Sequence, residues 1–216
     1  MIKVLIIDDH PVVRRGIRQI LEDDYRISLV EEAGNGKEMI EKLEAEPFDI
    51  ILLDISLPGR SGLDLIPEIK RIQKNVGILV LSIHSDELYA QKAIRSGASG
   101  YLTKTSAPEE LIAAIFKVAG GGKYISASMA EKISFNILEE KDNPLHYKLS
   151  ARELEVISLL ASGKTLRNIA DFLSISPKTI STYRKRMLEK LDLKTTSDLI
   201  RYTIIEGLLE DKKTSL

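Results

Sequence analysis

Three carboxylates, a hydroxyl and an ammonium group follow short apolar runs in the first half of this 216-residue sequence. In chain order they are Asp8 and Asp9 after residues 3–7, Asp54 after 50–53, Ser82 after 77–81 and Lys104 after 98–102. A continuous apolar run bounded by turn residues predicts a strand that is buried on both faces. Because the carboxyl ends of parallel strands meet at one edge of a sheet, where ligands bind, we expect these five side chains to lie together.

The three aspartates predict a cation site. Asp8, Asp9 and Asp54 cannot all ionise at close range without a compensating charge, because neighbouring carboxylates raise each other's pKa. A divalent cation would supply that charge. A site made of oxygen ligands, with few of them from protein, suits Mg²⁺, which keeps several waters and bridges to phosphate oxygens.

Each of these residues has a simpler explanation when it is taken singly. The pair Asp8 and Asp9 could complement a helix dipole, Asp54 could cap a turn, and Lys104 could be a solvated charge. Five such residues on four strand ends favour a site over these separate explanations.

The elements that would position the site alternate along residues 1–122. Five apolar runs alternate with five helical patterns, which predicts a doubly wound, five-stranded parallel sheet of the α/β class. Ser61 is a predicted cap of the third helix, and Ser106 with Glu109 forms a predicted capping box for the fifth. The glycines at 120–122 are interpreted as the end of the domain.

The second half of the chain has a helical pattern, which is continuous from residue 150 onward. Residues 123–148 are predicted to be a linker that contains one amphipathic helix, over residues 126–138. Residues 149–216 follow, with predicted caps at Ser150, Thr165 and Ser176 and a final helix from about residue 197 to 209. Two short helices joined by a tight turn and followed by a longer basic helix predict an all-α helix-turn-helix domain.

The composition is that of an ordinary globular protein, with 44% hydrophobic and 29% charged residues. The absence of cysteine excludes disulfides and thiolate metal sites. No apolar run has the length of a membrane span, and no leader precedes the first strand, so we expect a cytoplasmic protein without a membrane partner. Acidic residues outnumber basic ones in residues 1–123, whereas basic residues outnumber acidic ones in 150–201.

The acidic site, in this chain order, resembles the receiver domain of two-component response regulators, which has a flavodoxin-like fold. Residues 149–209 resemble the LuxR-type helix-turn-helix, so the whole chain is similar to the NarL/FixJ subfamily. The matching stretches of the second half are residues 149–153, 169–170, 175–180 and 188–191. The family usually has other residues at Asn168, Ser181 and Tyr183, which leaves the base contacts open.

The resemblance implies a role for each residue of the site. Asp54 would accept a phosphoryl group from a sensor histidine kinase, and Lys104 would offset its charge. Asp9, Asp54 and the backbone carbonyl of Ser56 would hold Mg²⁺, with Asp8 acting through water. Ser82 and Tyr101 would form the switch that reports phosphorylation. Receivers often have a cis peptide after the lysine, but Thr105 stands where proline is common, and a cis bond there would cost about 2.5–4 kcal/mol.

The third helix of the second half is predicted to enter the major groove of double-stranded DNA. Ile180, Tyr183, Met187 and Leu191 form an apolar stripe that should pack inward. The basic residues of this helix, Arg184 and Lys190 among them, could instead be a solvated face, but the preceding turn and cap favour DNA binding. The predicted DNA contacts are Lys178, Thr179, Ser181, Thr182, Lys185 and Arg186.

A two-fold homodimer should form on phosphorylation or DNA binding. The resemblance implies that the last helix forms the dimer contact. RNA polymerase is a further expected partner. Two other functions stay open at this point. The chain could regulate transcription without phosphorylation, or it could be a phosphatase of the haloacid dehalogenase type. Phosphatases of that type have an aspartate where Ser56 stands. We therefore expect no enzymatic activity other than the receiver's own phosphotransfer and dephosphorylation.

Overall fold

The computed structural model describes residues 1–83, 87–126, 129–130, 144–206 and 208. Contacts between residues divide the chain into two compact units, 1–139 and 140–216, and each is described here by itself. Most of the predicted linker helix, over residues 126–138, lies outside the described residues. The boundaries at 122 and 148 stay a prediction.

The first unit alternates strands and helices from its first residues. Its strands are β1 (Ile2–Ile7), β2 (Ile27–Ala33), β3 (Ile50–Asp54), β4 (Gly77–Ser82), β5 (Gly100–Thr103) and β6 (Tyr124–Ile125). Its helices are α1 (Pro11–Glu22), α2 (Gly36–Ala45), α3 (Gly62–Ile72), α4 (Glu87–Ser96) and α5 (Pro108–Ala119). Asp86, where the sequence predicts the start of α4, lies outside the described residues.

The strands form one parallel sheet in the order β2-β1-β3-β4-β5-β6. The predicted α/β class and parallel sheet are confirmed, but the sheet has six strands rather than five. The additional strand, β6, pairs Tyr124 with Gly100 and Ile125 with Tyr101 after a turn in which Gly121 has a φ of +82°. A two-residue strand is too short to give a periodic pattern. For this reason the sequence predicts that the domain ends at the glycines 120–122.

The central strands are apolar because both of their faces are covered. Every residue of β3 and β4 is buried. The core on the α1 and α5 side joins side chains of five strands to those two helices, with Leu52, Leu79 and Ile115 among them. Such burial is the main stabilising contribution to the fold, and it aligns the carboxyl ends of the central strands at one edge.

Most predicted helix starts of the first unit are correct. Ser61 Oγ accepts a hydrogen bond from Leu63 N at 3.3 Å and caps α3 as predicted. The capping box at Ser106 is wrong, because Ala107 occupies the N-cap without a side-chain hydrogen bond and Pro108 begins α5. Proline fixes the helical φ at this first position and does not need a capped N–H. No peptide bond of the described chain is cis, so the bond from Lys104 to Thr105 is trans.

The second unit begins with a 3₁₀ turn, Leu145–Lys148. The described residues of this unit then form four helices: α6 (Ala151–Ala161), α7 (Leu166–Phe172), α8 (Pro177–Leu191) and α9 (Thr196–Ile205). The three predicted caps at Ser150, Thr165 and Ser176 are confirmed. The fourth cap is Thr195, so α9 begins before the predicted residue 197, and it ends at Ile205 with Glu206 as its C-cap, before the predicted end at about 209. Among the helices described in the two units, none is both long and apolar enough to cross a bilayer.

Gly62, the first residue of α3, packs directly against the carboxyl end of β3. A Cβ atom added to Gly62 would collide with the backbone carbonyl oxygen of Asp54, whereas one added to Gly16 in α1 would meet nothing within 4 Å. Backbone atoms cannot yield as a flexible side chain does, so residue 62 must be glycine for α3 to approach the end of β3.

We predict that Gly62→Ala destabilises the protein by about 1–3 kcal/mol because of this overlap. Gly16→Ala is the matched control, and it should stabilise the protein by about 0.5–1 kcal/mol, since alanine is the better residue within a helix. Denaturant unfolding of both variants measures the difference. A Gly62→Ala protein as stable as the native one would contradict the close approach.

Candidate functional site

The carboxyl ends of four adjacent strands bring the predicted residues together. Asp8 directly follows β1, Asp54 ends β3 and Ser82 ends β4. Asp54 pairs in register with Leu81, the residue before Ser82. The backbone N–H of Lys104, just beyond β5, donates to the carbonyl of Ser82 over 2.7 Å. The sheet order therefore converts positions far apart in sequence into one cluster.

The ammonium group of Lys104 bonds two carboxylates at once. Its Nζ lies 2.6 Å from Oδ2 of Asp8 and 2.7 Å from Oδ2 of Asp54. Both aspartates are only 2% exposed and the lysine side chain 13% exposed, so little water screens these charges. Short charge-assisted hydrogen bonds of this kind are among the stronger polar contacts in proteins.

The titration behaviour of Asp54 and Lys104 follows from burial and from this triad. Burial raises the pKa of Asp54 above its ordinary 3.8 and the charge of Asp8 adds to the rise, while the Lys104 ammonium opposes it. For Lys104, burial alone would lower the pKa, but Asp54 and Asp8 outweigh burial and raise it above 10.5. The lysine therefore stays cationic at neutral pH, and the site holds an excess of carboxylates.

Asp9 and His10 complete the cluster. The buried Oδ1 of Asp9 has no hydrogen-bond partner in the described chain. His10 Nδ1 lies 2.8 Å from it, but outside hydrogen-bond geometry. Atoms of Asp8, Asp9, His10 and Asp54 that could ligate a metal all lie within 4.8 Å of one another. An uncommitted carboxylate oxygen among excess negative charge fits a hard divalent cation such as Mg²⁺.

Ser56 and Ser82 lie beside this cluster, and Tyr101 lies within β5. Ser56 N donates to Oδ1 of Asp54 over 3.1 Å, so both oxygens of that carboxylate accept hydrogen bonds. Ser82 is buried at the end of β4, next to the cluster. Tyr101 is 2% exposed in β5, three residues before the lysine. Their roles in switching remain predictions.

The predicted DNA-facing residues share the exposed side of α8. Ile180, Met187 and Leu191 are buried and Tyr183 half-buried, so the inward stripe is where the sequence predicts it. The exposed residues are Lys178, Ser181, Thr182, Lys185 and Arg186, with Thr179 half-buried.

Two basic residues of α8 are tied inside the unit. Arg184 Nε donates to Thr196 Oγ1 over 2.7 Å, and Lys190 Nζ donates to Glu153 Oε2 over 2.6 Å. Neither belongs to a freely solvated face, which is the alternative explanation of these basic residues. They fasten α8 to α9 and to α6, which fixes the orientation of its exposed side.

A buried arginine beneath the helix-turn-helix was missed. Arg152 is 2% exposed, and its guanidinium donates to Glu155 Oε2 over 2.6 Å and to the carbonyl of Leu173 over 3.1 Å. That carbonyl directly precedes Ser174, whose φ of 53° makes the turn between α7 and α8. An arginine in the first turn of a helix looks exposed in sequence, and no local pattern indicates a partner 21 residues away.

Comparison with protein families matches both units. The model described as "Response regulator receiver domain" matches residues 4–116, and "Bacterial regulatory proteins, luxR family" matches residues 147–203. Over 209 residues the chain is 37% identical to the response regulator UvrY of Escherichia coli, covering 96% of each protein.

Solved structures give the same picture. RcsB from Salmonella enterica serovar Typhimurium, bound to the promoter rprA with the phosphomimetic beryllofluoride, is 29% identical with a TM-score of 0.64, covering 93% of this chain and 97% of that one. A structure of two RcsB dimers bound to two parallel DNAs is 29% identical with a TM-score of 0.59, covering 94% and 98%.

We predict that Asp54→Asn stabilises the metal-free protein at neutral pH. A carboxyl whose folded pKa is raised contributes stability below its unfolded pKa, near 3.8, and loses it as pH rises through the folded value. The ionised group therefore costs stability at pH 7, while Lys104 keeps Asp8 as a partner in the variant.

Thermal unfolding in a chelating buffer, repeated from pH 4 to pH 7, tests this. The advantage of Asp54→Asn should grow with pH, whereas Asp23→Asn, which removes an exposed carboxylate at the end of α1, should show no such trend. If Asp54→Asn were instead less stable than the native protein at pH 7, the ion pair between Asp54 and Lys104 would contribute more stability than the burial of the Asp54 carboxylate costs.

Proposed function

Since the chain belongs to the two-component response regulators that join a receiver domain to a LuxR-type DNA-binding domain, we propose that Asp54 accepts the phosphoryl group. The protein is a DNA-binding transcription regulator. The observation that carries the assignment of Asp54 is its position, buried at the end of β3 within bonding distance of Lys104. The phosphodonor in this proposal is the phosphohistidine of a sensor kinase.

The transfer needs a carboxylate oxygen as nucleophile. An Asp54 oxygen attacks the phosphorus as the N–P bond of the phosphohistidine breaks, and the electron pair of that bond stays on the imidazole. The product is an aspartyl phosphate, whose oxygens carry more negative charge than the free carboxylate. The ammonium of Lys104, already bonded to Asp54, is close enough to offset part of that charge.

Mg²⁺ is the cofactor that the site fits. Asp9, Asp54 and the carbonyl of Ser56 would hold it, with Asp8 acting through water. The unpartnered Oδ1 of Asp9 supports this set. The ion would supply positive charge at the phosphoryl oxygens, which three carboxylates and one lysine cannot provide.

The switch that we propose includes Lys104, Ser82 and Tyr101. Once a phosphoryl group is present, the ammonium gains a new anionic partner and the Ser82 hydroxyl can donate to a phosphoryl oxygen. Lys104 N is bonded to the carbonyl of Ser82, so movement at either residue is transmitted to the other. The buried ring of Tyr101 lies in β5, the strand that ends just before Lys104. It would respond to this movement by repacking.

The DNA contacts that we propose are on the exposed side of α8. Lys185 would reach base edges or a phosphate, and Lys178, near the start of the helix, would bind phosphate. Thr179, Ser181, Thr182 and Arg186 complete the set. The hydroxyls of Ser181 and Thr182 donate to the carbonyls of Pro177 and Lys178, each over 3.0 Å, so their oxygens keep acceptor capacity.

Assembly and location complete the proposal. A homodimer formed on phosphorylation or DNA binding would double the contacts of one short recognition helix, and the RcsB dimers on DNA support this arrangement. We place the receiver at residues 1–122 and the DNA-binding domain at 149–216, in the cytoplasm, with RNA polymerase as a further partner. The chain is a transcription factor, and we propose that its only chemistry is its own phosphorylation and dephosphorylation.

We predict that Asp54→Ala abolishes labelling by a small phosphodonor with Mg²⁺, because no other carboxylate stands at the end of β3. Asp23→Ala, at an exposed position, is the matched control and should be labelled at the native rate. An acid-stable, hydroxylamine-sensitive label followed by gel electrophoresis gives the readout. Native-rate labelling of Asp54→Ala would refute the assignment.

For DNA binding, Lys185→Ala is the most informative change. If the side chain reads a base, the variant should lose about 1–3 kcal/mol of binding free energy and its preference at one position of each half-site. If it touches only phosphate, affinity should fall on all sequences and the salt slope should lessen by about one per protomer.

Binding isotherms over a range of salt concentrations, on matched and singly substituted sites, separate the two outcomes. Lys194→Ala removes the same charge from the exposed loop between α8 and α9 and serves as the control. Unchanged affinity of Lys185→Ala on every sequence would show that another face of α8 meets the DNA.

A further inference from the structure

Arg14 in α1 bonds the peptide that joins the two acidic residues of the site. Its Nη1 donates to the backbone carbonyl oxygen of Asp8 over 2.6 Å. The Arg14 side chain is 17% exposed, so this charge-assisted hydrogen bond is largely shielded from water. Because a peptide unit is planar, holding that carbonyl also fixes the direction of the following N–H and the position of the Cα atom of Asp9.

Arg14 is itself held from the other side. Its Nε donates to Oε2 of Glu32 in β2 over 3.0 Å, and Oε1 of Glu32 accepts from Arg18 Nε over 2.5 Å. Burial acts to raise the pKa of Glu32, but the hydrogen bonds from Arg18 and Arg14 outweigh it and keep that pKa below 4.5. Glu32 is therefore ionised at neutral pH, and its carboxylate orients the guanidinium of Arg14.

The two aspartates depend on this peptide to different degrees. The Asp8 carboxylate is fixed independently, by Lys104 on one oxygen and by His10 N, at 2.8 Å, on the other. Asp9 accepts no hydrogen bond at its buried Oδ1, where His10 Nδ1 lies 2.8 Å away but outside hydrogen-bond geometry. The point from which its side chain projects is its Cα atom, whose position follows the Asp8–Asp9 peptide that Arg14 holds.

We propose that Arg14 is a positioning residue that orients Asp9 and thereby sets the affinity of the acidic site for Mg²⁺. The inference rests on the proposed function, since it concerns the cation of the phosphorylation site. Arg14 acts through the backbone and needs no contact with the ion. An outer residue that orients a metal ligand typically changes metal affinity by roughly 10–100-fold when it is removed.

The test uses the full chain and Mg²⁺ alone. A cation that binds only the folded state stabilises it by RT ln(1 + c/Kd) at a free cation concentration c, so the rise of the unfolding temperature along a Mg²⁺ titration gives an apparent dissociation constant. Arg14→Met keeps the apolar stem and removes the guanidinium, and it should weaken Mg²⁺ binding by about tenfold or more. Arg15→Met, which removes an exposed guanidinium at the next position of α1, should bind Mg²⁺ as the native chain does.

Labelling kinetics give a second readout. With Arg14→Met the labelling rate should be reduced at limiting Mg²⁺ and recover at saturating Mg²⁺, because the nucleophile and Lys104 are untouched. Glu32→Gln leaves Arg14 in place but removes the anion that orients it, so it should weaken Mg²⁺ binding in the same direction by a smaller factor. This second variant keeps the test decisive if Arg14→Met folds poorly.

The outcomes are distinguishable. A lower unfolding temperature without Mg²⁺, together with native Mg²⁺ affinity in both Arg14→Met and Glu32→Gln, would assign the network a purely structural role and overturn the inference. If the native chain and Arg15→Met are neither stabilised by Mg²⁺ nor labelled, the proposed function fails, and the positioning role fails with it.

Discussion

The structure of the first unit depends on one buried ammonium group placed between two buried carboxylates. Lys104 satisfies Asp8 and Asp54, and an unpaired charge in such a place would cost several kcal/mol. Yet one lysine cannot neutralise both of them and Asp9 as well. The site is therefore stable enough to fold while it still attracts positive charge. The remaining negative charge favours a cation at this site, and a bound cation in turn favours a phosphoryl group.

This electrostatic arrangement requires a particular sheet. The carboxyl ends of β1, β3 and β5 must lie within the length of a lysine side chain of one another. The strand order β1-β3-β4-β5 achieves this. The helices must also pack closely enough to exclude water. At Gly62 the backbone of α3 leaves no room for a Cβ atom over the carbonyl of Asp54. Close approach of backbone to backbone is the geometric condition for the burial that shifts these titrations.

The sequence predicts the parts of the structure that are set by local pattern and topology. Apolar runs predict the central strands, and the meeting of their carboxyl ends predicts that Asp8, Asp54 and Lys104 lie together. Features that depend on one contact between distant residues were not predictable. A two-residue strand such as β6 has no period, Pro108 begins α5 without the cap that the residues before it suggest, and Arg152 becomes buried only when α7 packs above it.

Comparison of the two units indicates how paired and unpaired charges divide the work of this chain. Among the described residues of the DNA-binding unit, the buried Arg152, Glu155 and Glu153 each have one partner of opposite charge, Arg152 with Glu155 inside α6 and Glu153 with the partly exposed Lys190 of α8. The exposed pair of Lys185 and Glu189 is 3.8 Å apart, and such pairs contribute at most about 1 kcal/mol, so Lys185 can exchange its partner at little cost. The acidic site is the opposite case, a buried cluster whose charges do not balance. Balanced buried charges are thus part of the scaffold, whereas the unbalanced buried cluster and the weakly paired exposed cations are where a charged ligand would bind with the least competition from the protein itself.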